Sequence, residues 1–319
     1  MANTITIDAW LDVIDREYLS SLISDGGATV KFAIAGDDRR RTLEGTLEHR
    51  CRERGYVFVK VDAATCRVHM PQDIFFALAS ELDWPLLARR VTLRFLRDRG
   101  FRVDGIDPQH VRDVVGSVAE HSGLELSDVL TELRPVLYGR VHRNPDMVRA
   151  FRVAMNHLCL MTRRQGTDGD GEEQPLIDWL TGANTRIGNV RHFEVHTPIN
   201  RTTARYFIES ALYWIRFAGY AGTVILLDNA RVLVARNPRD GLRYYTRAMT
   251  VDHYEVLREF IDNTDRLQAC LLAVATDETF VDENAQKGWG IYSALRTRVM
   301  DDVRDRNVVN PVAALVRLS

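Results

Sequence analysis

Thr29–Ala35, with the sequence TVKFAIA, is flanked by glycines on both sides and decides the fold class. A short apolar run bounded by glycines predicts a buried strand. Thr42–Arg54 carries leucines at helical spacing, and Tyr56–Val61 is rich in β-branched and aromatic residues, so a helix and a second strand are predicted next. Strand, helix and strand at this spacing favour a parallel sheet with crossover helices.

The later part of the chain repeats the strand pattern. Apolar runs of strand length follow at Thr223–Asp228, Leu271–Thr276 and Val312–Leu318. Segments with helical spacing and no strand between them lie at 86–99, 107–121, 126–138 and 145–164, and further helices are predicted at 71–82, 201–218 and 251–263. We therefore predict an α/β core made of residues 1–85 and 201–319, split by a large helical insertion at residues 86–200. The acidic, glycine-rich stretch 166–175 predicts a surface loop.

Composition excludes several classes of protein. With 45% hydrophobic and 27% charged residues in 319, the chain has the make-up of a globular protein with a sizeable core. No apolar run is long enough for a membrane helix, and the start has no signal-peptide pattern. The four cysteines form no CxxC pair, which favours reduced thiols and a cytoplasmic location. A net charge of −2 argues against a globally basic nucleic-acid binder.

The segment after the first strand is where a P-loop NTPase binds phosphate. That motif needs inner glycines, so that backbone N–H groups can surround the phosphate, followed by a lysine and a Ser or Thr that ligates Mg²⁺. Here the segment reads Gly36-Asp37-Asp38-Arg39-Arg40-Arg41-Thr42. Gly36 and Thr42 have the expected types, but the inner glycines and the lysine are missing, and two carboxylates face the phosphate position. One arginine among residues 39–41 is a candidate replacement ligand; an ordinary charged loop is the alternative interpretation.

Thr223–Asp228 resembles the Walker B strand, whose terminal carboxylate holds Mg²⁺. Asp228 is therefore the candidate magnesium ligand. A hydrolysing ATPase typically has glutamate next, whereas this chain has Asn229, which cannot act as a base. Thr276, at the end of the following strand, is a candidate γ-phosphate sensor, or simply a cap of the strand end.

Several blocks of sequence together resemble the BREX-system ATP-binding domain family, P-loop proteins related to BrxD from bacterial phage-defence islands. The blocks are Gly26–Phe32, Gly55–Asp62, Arg67–His69, Asp178–Gly182, Ala218–Asp228, Phe260–Thr264 and Tyr292–Arg298. The resemblance implies a P-loop NTPase-like fold of the AAA+/STAND type with a parallel sheet. It also implies a nucleotide site, in which Gly36, Arg39, Arg40, Arg41, Thr42, Thr276, Arg296 and Arg298 are the candidate binding residues.

This chain departs from the family at both catalytic motifs, because the Walker A lysine and the Walker B glutamate are missing together. We therefore expect a pseudo-ATPase with no cofactor or only weakly bound ATP and magnesium, acting as a scaffold or regulator in an anti-phage defence-type complex. The expected partner is an active ATPase paralogue or a second copy, to which Arg296 or Arg298 would be offered in trans; ordinary surface ion pairing is the alternative for these arginines. An active ATPase with a rewired phosphate loop remains the second hypothesis.

A DNA-binding accessory module is the third hypothesis. Residues 107–140 loosely resemble a helix-turn-helix, but acidic residues are interleaved with the arginines, so no phosphate-tracking face emerges. His192 and His196 are four residues apart, yet the alternating apolar residues favour a strand or loop, and a metal site is not expected. His69 is expected to be structural rather than a nucleotide contact. No serine lies in a nucleophile-elbow context, so hydrolase chemistry has no support.

Overall fold

A computed structural model of the chain describes residues 4–162, 172–300 and 309–319. The chain forms two compact units. The sheet unit comprises Met1–Leu78 and Tyr220–Ser319, and the helical unit comprises Ala79–Gly219. These boundaries differ from the predicted ones at residues 85/86 and 200/201. Residues 166–171 of the predicted loop at 166–175 lie outside the described residues.

Helices and strands alternate in the sheet unit. The described part of the helical unit contains helices and no strand. In chain order they are α1 (Ile7–Val13), a π-helical continuation (Ile14–Leu22), β1 (Ala28–Ile34), α2 (Asp37–Glu53), β2 (Tyr56–Asp62), α3 (Pro71–Ser80), α4 (Trp84–Asp98), α5 (Val114–Ser122), α6 (Leu126–Leu137) with a π-helical turn (Tyr138–His142), α7 (Arg149–Met161), α8 (Gln174–Thr181), α9 (Ala204–Phe217), β3 (Gly222–Asp228), α10 (Arg247–Asp262), β4 (Cys270–Thr276), α11 (Ser293–Val299) and β5 (Leu315–Arg317).

The sheet has five parallel strands in the order β2-β3-β4-β1-β5. The prediction of a parallel α/β sheet is confirmed, and this arrangement is consistent with a P-loop-like fold. Since all strands run the same way, the carboxyl ends of β1, β3 and β4 meet at one edge, where open α/β sheets bind ligands. The register aligns Ile34 with Thr276 and Asp228 with Ala275 at that edge.

Both faces of the sheet are covered by apolar packing. On one face, Trp10 of α1 and Leu47 of α2 pack in a buried cluster with Ala33, Leu226 and Ala273 of the central strands. Successive strand residues point to opposite faces. Phe32 therefore lies on the other face, where it stacks on Phe280 at 5.5 Å between ring centroids. The sheet is buried on both sides, as its near-continuous apolar strands require.

The helical unit is built around buried aromatic rings. Trp84 meets Phe151 edge-on at 5.8 Å, and Phe207 lies 5.5 Å from Trp179. The predicted helix at 107–121 was placed too early, because α5 begins at Val114, where the side chain of Asp113 accepts a hydrogen bond from the backbone of Gly116. In the ranges that the structure describes, no helix combines the length and apolarity that crossing a membrane requires.

Candidate functional site at the carboxyl edge of the sheet

The connection from β1 to α2 consists of Ala35 and Gly36 alone. The prediction of a loop over 36–42 is wrong, since the helix begins at Asp37. Gly36 has φ −69°, a conformation that any residue adopts, so the turn makes no use of glycine's freedom. Carboxylates in the first turn stabilise a helix N-terminus through its dipole, which explains the early start at Asp37 and Asp38. The eight-residue phosphate loop has no room here.

Because residues 39–42 are helical, their side chains point in different directions. Arg39 reaches the backbone carbonyl of Leu318 at 3.5 Å, and Arg41 pairs with Asp38 on the surface at 2.6 Å. The hydroxyl of Thr42 donates back to the helix backbone at Asp38. Of these four candidate phosphate ligands, only Arg40 reaches the end of β3.

Arg40 closes the edge of the sheet on the α2 side. Its side chain is only 10% exposed, and its guanidinium reaches the segments that end β1 and β3. Nε donates to Oδ2 of Asp228 at 3.3 Å, Nη1 to the carbonyl of Ala35 at 2.9 Å, and Nη2 to Oδ1 of Asp37 at 2.5 Å. The second carboxylate oxygen of Asp228 accepts the backbone N–H of Ala230 at 3.0 Å. Both oxygens of the candidate magnesium ligand are thus engaged within the chain.

A second cation lies on the same side of the sheet. Lys60 of β2 forms an ion pair with Glu44 at 2.7 Å. Burial lowers its pKa, but the hydrogen bond to Glu44 and the charges of Asp62 and Asp228 outweigh burial, so that the pKa of Lys60 is raised overall. Two cations of the chain itself therefore lie among the carboxylates at this edge.

On the other side of the edge, Asn229 is fully buried and is paired with His253 of α10. Nε2 of His253 lies 2.8 Å from Oδ1 of Asn229, and its Nδ1 lies 3.1 Å from the carbonyl oxygen of Val68. Burial lowers the pKa of His253 to about 4, so the ring is neutral. A neutral imidazole donates through one nitrogen only, so donation to Val68 requires the Asn229 amide to be turned so that its N–H group, rather than Oδ1, faces Nε2. The turned amide also gives a partner to Nδ2 of Asn229, which otherwise has none among the described residues. Asn229 thus takes part in a dry hydrogen-bonded pair.

Thr276 ends β4 on the same side as Asn229 and is fully buried. Its Oγ1 has no hydrogen-bond partner among the residues that the structure describes, while its carbonyl accepts the backbone N–H of Ala35 at 2.8 Å. The structure therefore brings Thr276, Asn229, Asp228 and Arg40 to one edge of the sheet. A role for Thr276 as a phosphate sensor stays a prediction.

Arg296 and Arg298 lie on α11 in ion pairs with residues of the same chain. Arg296 contacts Glu283 at 2.7 Å. Arg298 pairs with Asp262, which also holds Arg258 at 2.5 Å. These contacts match the surface-pairing alternative. An action of either arginine in trans stays a prediction.

A family model described as BREX system ATP-binding protein BrxC/D matches residues 109–319, about two thirds of the chain. The chain belongs to this family. The resemblance drawn from the sequence blocks is thereby confirmed. No match was found among curated proteins or among solved structures.

The match to the BrxC/D family covers only part of the candidate site. It includes β3 with Asp228 and Asn229, together with α10 and β4, and it begins after β1, α2 and β2. Arg40 and the missing phosphate loop therefore lie outside the matched residues. The segment in which this family member lacks the lysine is also the segment that the family model does not cover.

The remaining candidates lie elsewhere in this BrxC/D family member. His69 is buried, with its ring edge-on to Tyr245 at 5.7 Å. His192 and His196 are exposed, and Glu194 between them is left-handed with φ 62°, so the two histidines do not share a helix face. Within residues 4–162, 172–300 and 309–319, no group of three or more His, Cys, Asp and Glu is arranged to hold a metal ion.

Sequence reasoning missed the partners that close the edge in this family member. His253 lies on the apolar stripe of α10 with Thr250, Tyr254 and Leu257, and a histidine at such a position is the signal that would have indicated a buried polar contact. The choice of Arg40 among three adjacent arginines had no signal in the sequence, since it depends on where the helix begins.

Proposed function

We propose that this member of the BREX ATP-binding protein family does not hydrolyse ATP and serves as a scaffold or regulator in an anti-phage defence complex. The observation that carries the proposal is the Arg40 guanidinium bound to Asp228. A protein cation stands where an active relative would need a metal ion bound to the same carboxylate. Family membership supports the defence role, which we extend to a partnership with an active ATPase or with a second copy.

Magnesium-bound ATP does not fit the residues at the edge of this sheet. A triphosphate needs inward N–H groups and a free cation at the β1–α2 turn. This chain offers two helical residues with carboxylates, Asp37 and Asp38, that are 83% and 96% exposed. The cation at the turn, Arg40, is already bound to Asp37 and Asp228. Like charges repel in the position where the helix dipole would otherwise attract phosphate. A charge-assisted hydrogen bond contributes roughly 1.5–3 kcal/mol, so the missing lysine is a substantial loss of binding energy.

The residue after Asp228 argues in the same direction. A water that attacks the γ-phosphate must be oriented or deprotonated by a nearby group. Asn229 has no basic oxygen for that purpose, and its side chain is buried against His253. This edge therefore supports neither phosphate binding nor activation of the attacking water.

A phosphate-release assay with magnesium and ATP tests the proposal. The wild-type protein and the Asp228→Ala variant are expected to release phosphate at the same background rate, since Asp228 holds Arg40 rather than a metal. Arg41→Ala, which alters an exposed surface pair on the same helix, serves as the matched control for handling and folding. Turnover by the wild type that Asp228→Ala abolishes would establish the rewired-ATPase hypothesis instead.

A further inference from the structure

The segment from the end of β3 to the start of α10 presents three arginines at the surface. Residues 235–243, here named the arginine loop, are all exposed. Arg236 and Arg239 lie in this loop, and Arg247 is the first residue of α10. In the part of the chain that the structure describes, none of their side chains forms an ion pair or a hydrogen bond. Segment 231–247 contains five arginines against a single acidic residue, Asp240.

The other two arginines of the segment hold the loop in place. Arg231, 11% exposed, forms a forked pair with Asp240, with N–O distances of 2.7 and 2.6 Å. The side chain of Arg243 donates to the carbonyl of Thr65 at 2.5 Å, and its backbone N–H donates to Ala64 at 3.1 Å. The only carboxylate of the segment is therefore consumed in bracing the loop, and the positive charge of the displayed arginines is left uncompensated.

A buried lysine fastens the base of the loop. Lys287 is 4% exposed, and its Nζ donates to the carbonyls of Val234 and Tyr245. The ammonium also lies 4.2 Å from the ring centre of Tyr244, whose hydroxyl donates to Ala235 at 3.1 Å. A loop fixed at both ends loses little conformational entropy when a partner binds.

The conformation of Arg239 and the position of Arg247 both cost the isolated chain some stability. Arg239 adopts a left-handed conformation with φ 55°, which strains a residue that has a Cβ. Arg247 places a cation at a helix N-terminus, against the helix dipole. Such costs are found where a surface is shaped for binding.

The chemistry of the loop favours carboxylates over nucleic acid. Single-stranded nucleic acid is typically held by exposed aromatic rings as well as cations. The ring of Tyr244 contacts the ammonium of Lys287, and its hydroxyl donates to the carbonyl of Ala235. Tyr245 is buried, so the segment has no ring available for stacking. Instead, Leu242 is 48% exposed among the arginines. An apolar side chain beside guanidinium forks suits an acidic protein segment, because the fork matches a carboxylate.

We propose that the arginine loop, together with Arg247, is a preformed docking surface for an acidic segment of a partner protein. Charge complementarity selects the partner, and the braced backbone sets the spacing of the guanidinium groups.

Fluorescence anisotropy with a labelled octaglutamate peptide tests the proposal at about 0.15 M salt, where long-range attraction is screened. Reversal of all three displayed arginines (R236E, R239E and R247E together) is expected to weaken binding by about tenfold or more. The matched control reverses three exposed arginines of the helical unit, R102E, R143E and R186E, and is expected to stay within about twofold of the wild type. Thermal unfolding of each variant verifies that it is folded.

The Asp240→Asn variant separates a braced site from simple attraction. It makes the loop more positive but weakens the fork with Arg231, so a braced site predicts weaker peptide binding and simple attraction predicts tighter binding. Tighter binding by Asp240→Asn overturns the proposal, and so does a lack of peptide binding by the wild type. A labelled thymidine octanucleotide that binds more tightly than the peptide, with the same dependence on the three arginines, overturns it in favour of nucleic acid.

Discussion

At the carboxyl end of β3, the two faces of the sheet use different physical interactions to hold neighbouring residues, Asp228 and Asn229. On the α2 side, Asp228 is 24% exposed and is held by the charge of Arg40. On the α10 side, Asn229 is fully buried and is held by the neutral ring of His253. Asp228, the last residue of β3, thus meets a charged partner where water is near, and the next residue, Asn229, meets a neutral partner where water is excluded.

The difference follows from the cost of burying charge. A carboxylate in the dry α10 side would need full compensation by a partner, whereas an amide needs only hydrogen bonds. Glutamate at position 229 would therefore be incompatible with a neutral His253. The asparagine is consistent with a site that has exchanged a catalytic carboxylate for a structural pair.

Acidification gives the largest expected effect, and at the edge of the sheet it acts through His253 on the α10 side. The pKa of His253 is lowered to about 4 in the folded protein, below the 6.5 of an unfolded histidine, so the unfolded chain binds a proton first. The contribution to stability is complete above about pH 6.5 and is lost as the pH falls towards about 4, by about 3 kcal/mol. Chemical denaturation across this range measures the loss. His253→Asn, which keeps a donor for Val68, is expected to lack that portion of the pH dependence; an unchanged pH profile contradicts the neutral ring.

Removal of Arg40 gives the next largest effect and acts on the α2 side. Arg40→Ala removes the donor to Oδ2 of Asp228 and the donor to the carbonyl of Ala35, and the free energy of unfolding is expected to fall by about 2 kcal/mol. Arg41→Ala on the same helix is 75% exposed and is expected to cost less than about 0.5 kcal/mol. Equal losses in the two variants, measured by denaturant unfolding, would show that Arg40 does not hold the edge.

Arg298 shows how much stability is lost when an ion pair away from the edge of the sheet is removed. Arg298→Ala removes a partner of Asp262, which keeps Arg258, and exposed pairs are worth about 0.2–1 kcal/mol. The expected loss in unfolding free energy is therefore smaller than for Arg40→Ala. A loss as large as that of Arg40→Ala would remove the distinction between the edge and the surface.

The strands and the missing phosphate motif could be predicted from the sequence, because both depend on local residue types. Apolar runs located β1, β3 and β4 to within a residue or two, and the absence of lysine between Gly36 and Thr42 indicated an impaired phosphate site. The predicted helix at Thr42–Arg54 nevertheless began five residues too late. The sequence pattern predicts a charged loop at Asp37 and Asp38, whereas these residues form the first turn of α2 and stabilise it through the helix dipole.

The partners at the edge could not be predicted, because they are distant in sequence. Arg40 and Asp228 are 188 residues apart, and Asn229 and His253 are 24 apart. Only the fold brings them together, and the start of α2 decides that Arg40 rather than Arg39 or Arg41 faces the strand. The bracing of the arginine loop by Lys287 likewise joins segments that no local pattern connects.

Calorimetric titration of the purified 319-residue chain with magnesium and ATP tests the central claim most directly. With Arg40 on Asp228 and carboxylates at the start of α2, no heat of binding is expected up to millimolar nucleotide. Binding at micromolar affinity would contradict the account, because it would require Asp228 to exchange Arg40 for a metal ion and the helix start to accept phosphate.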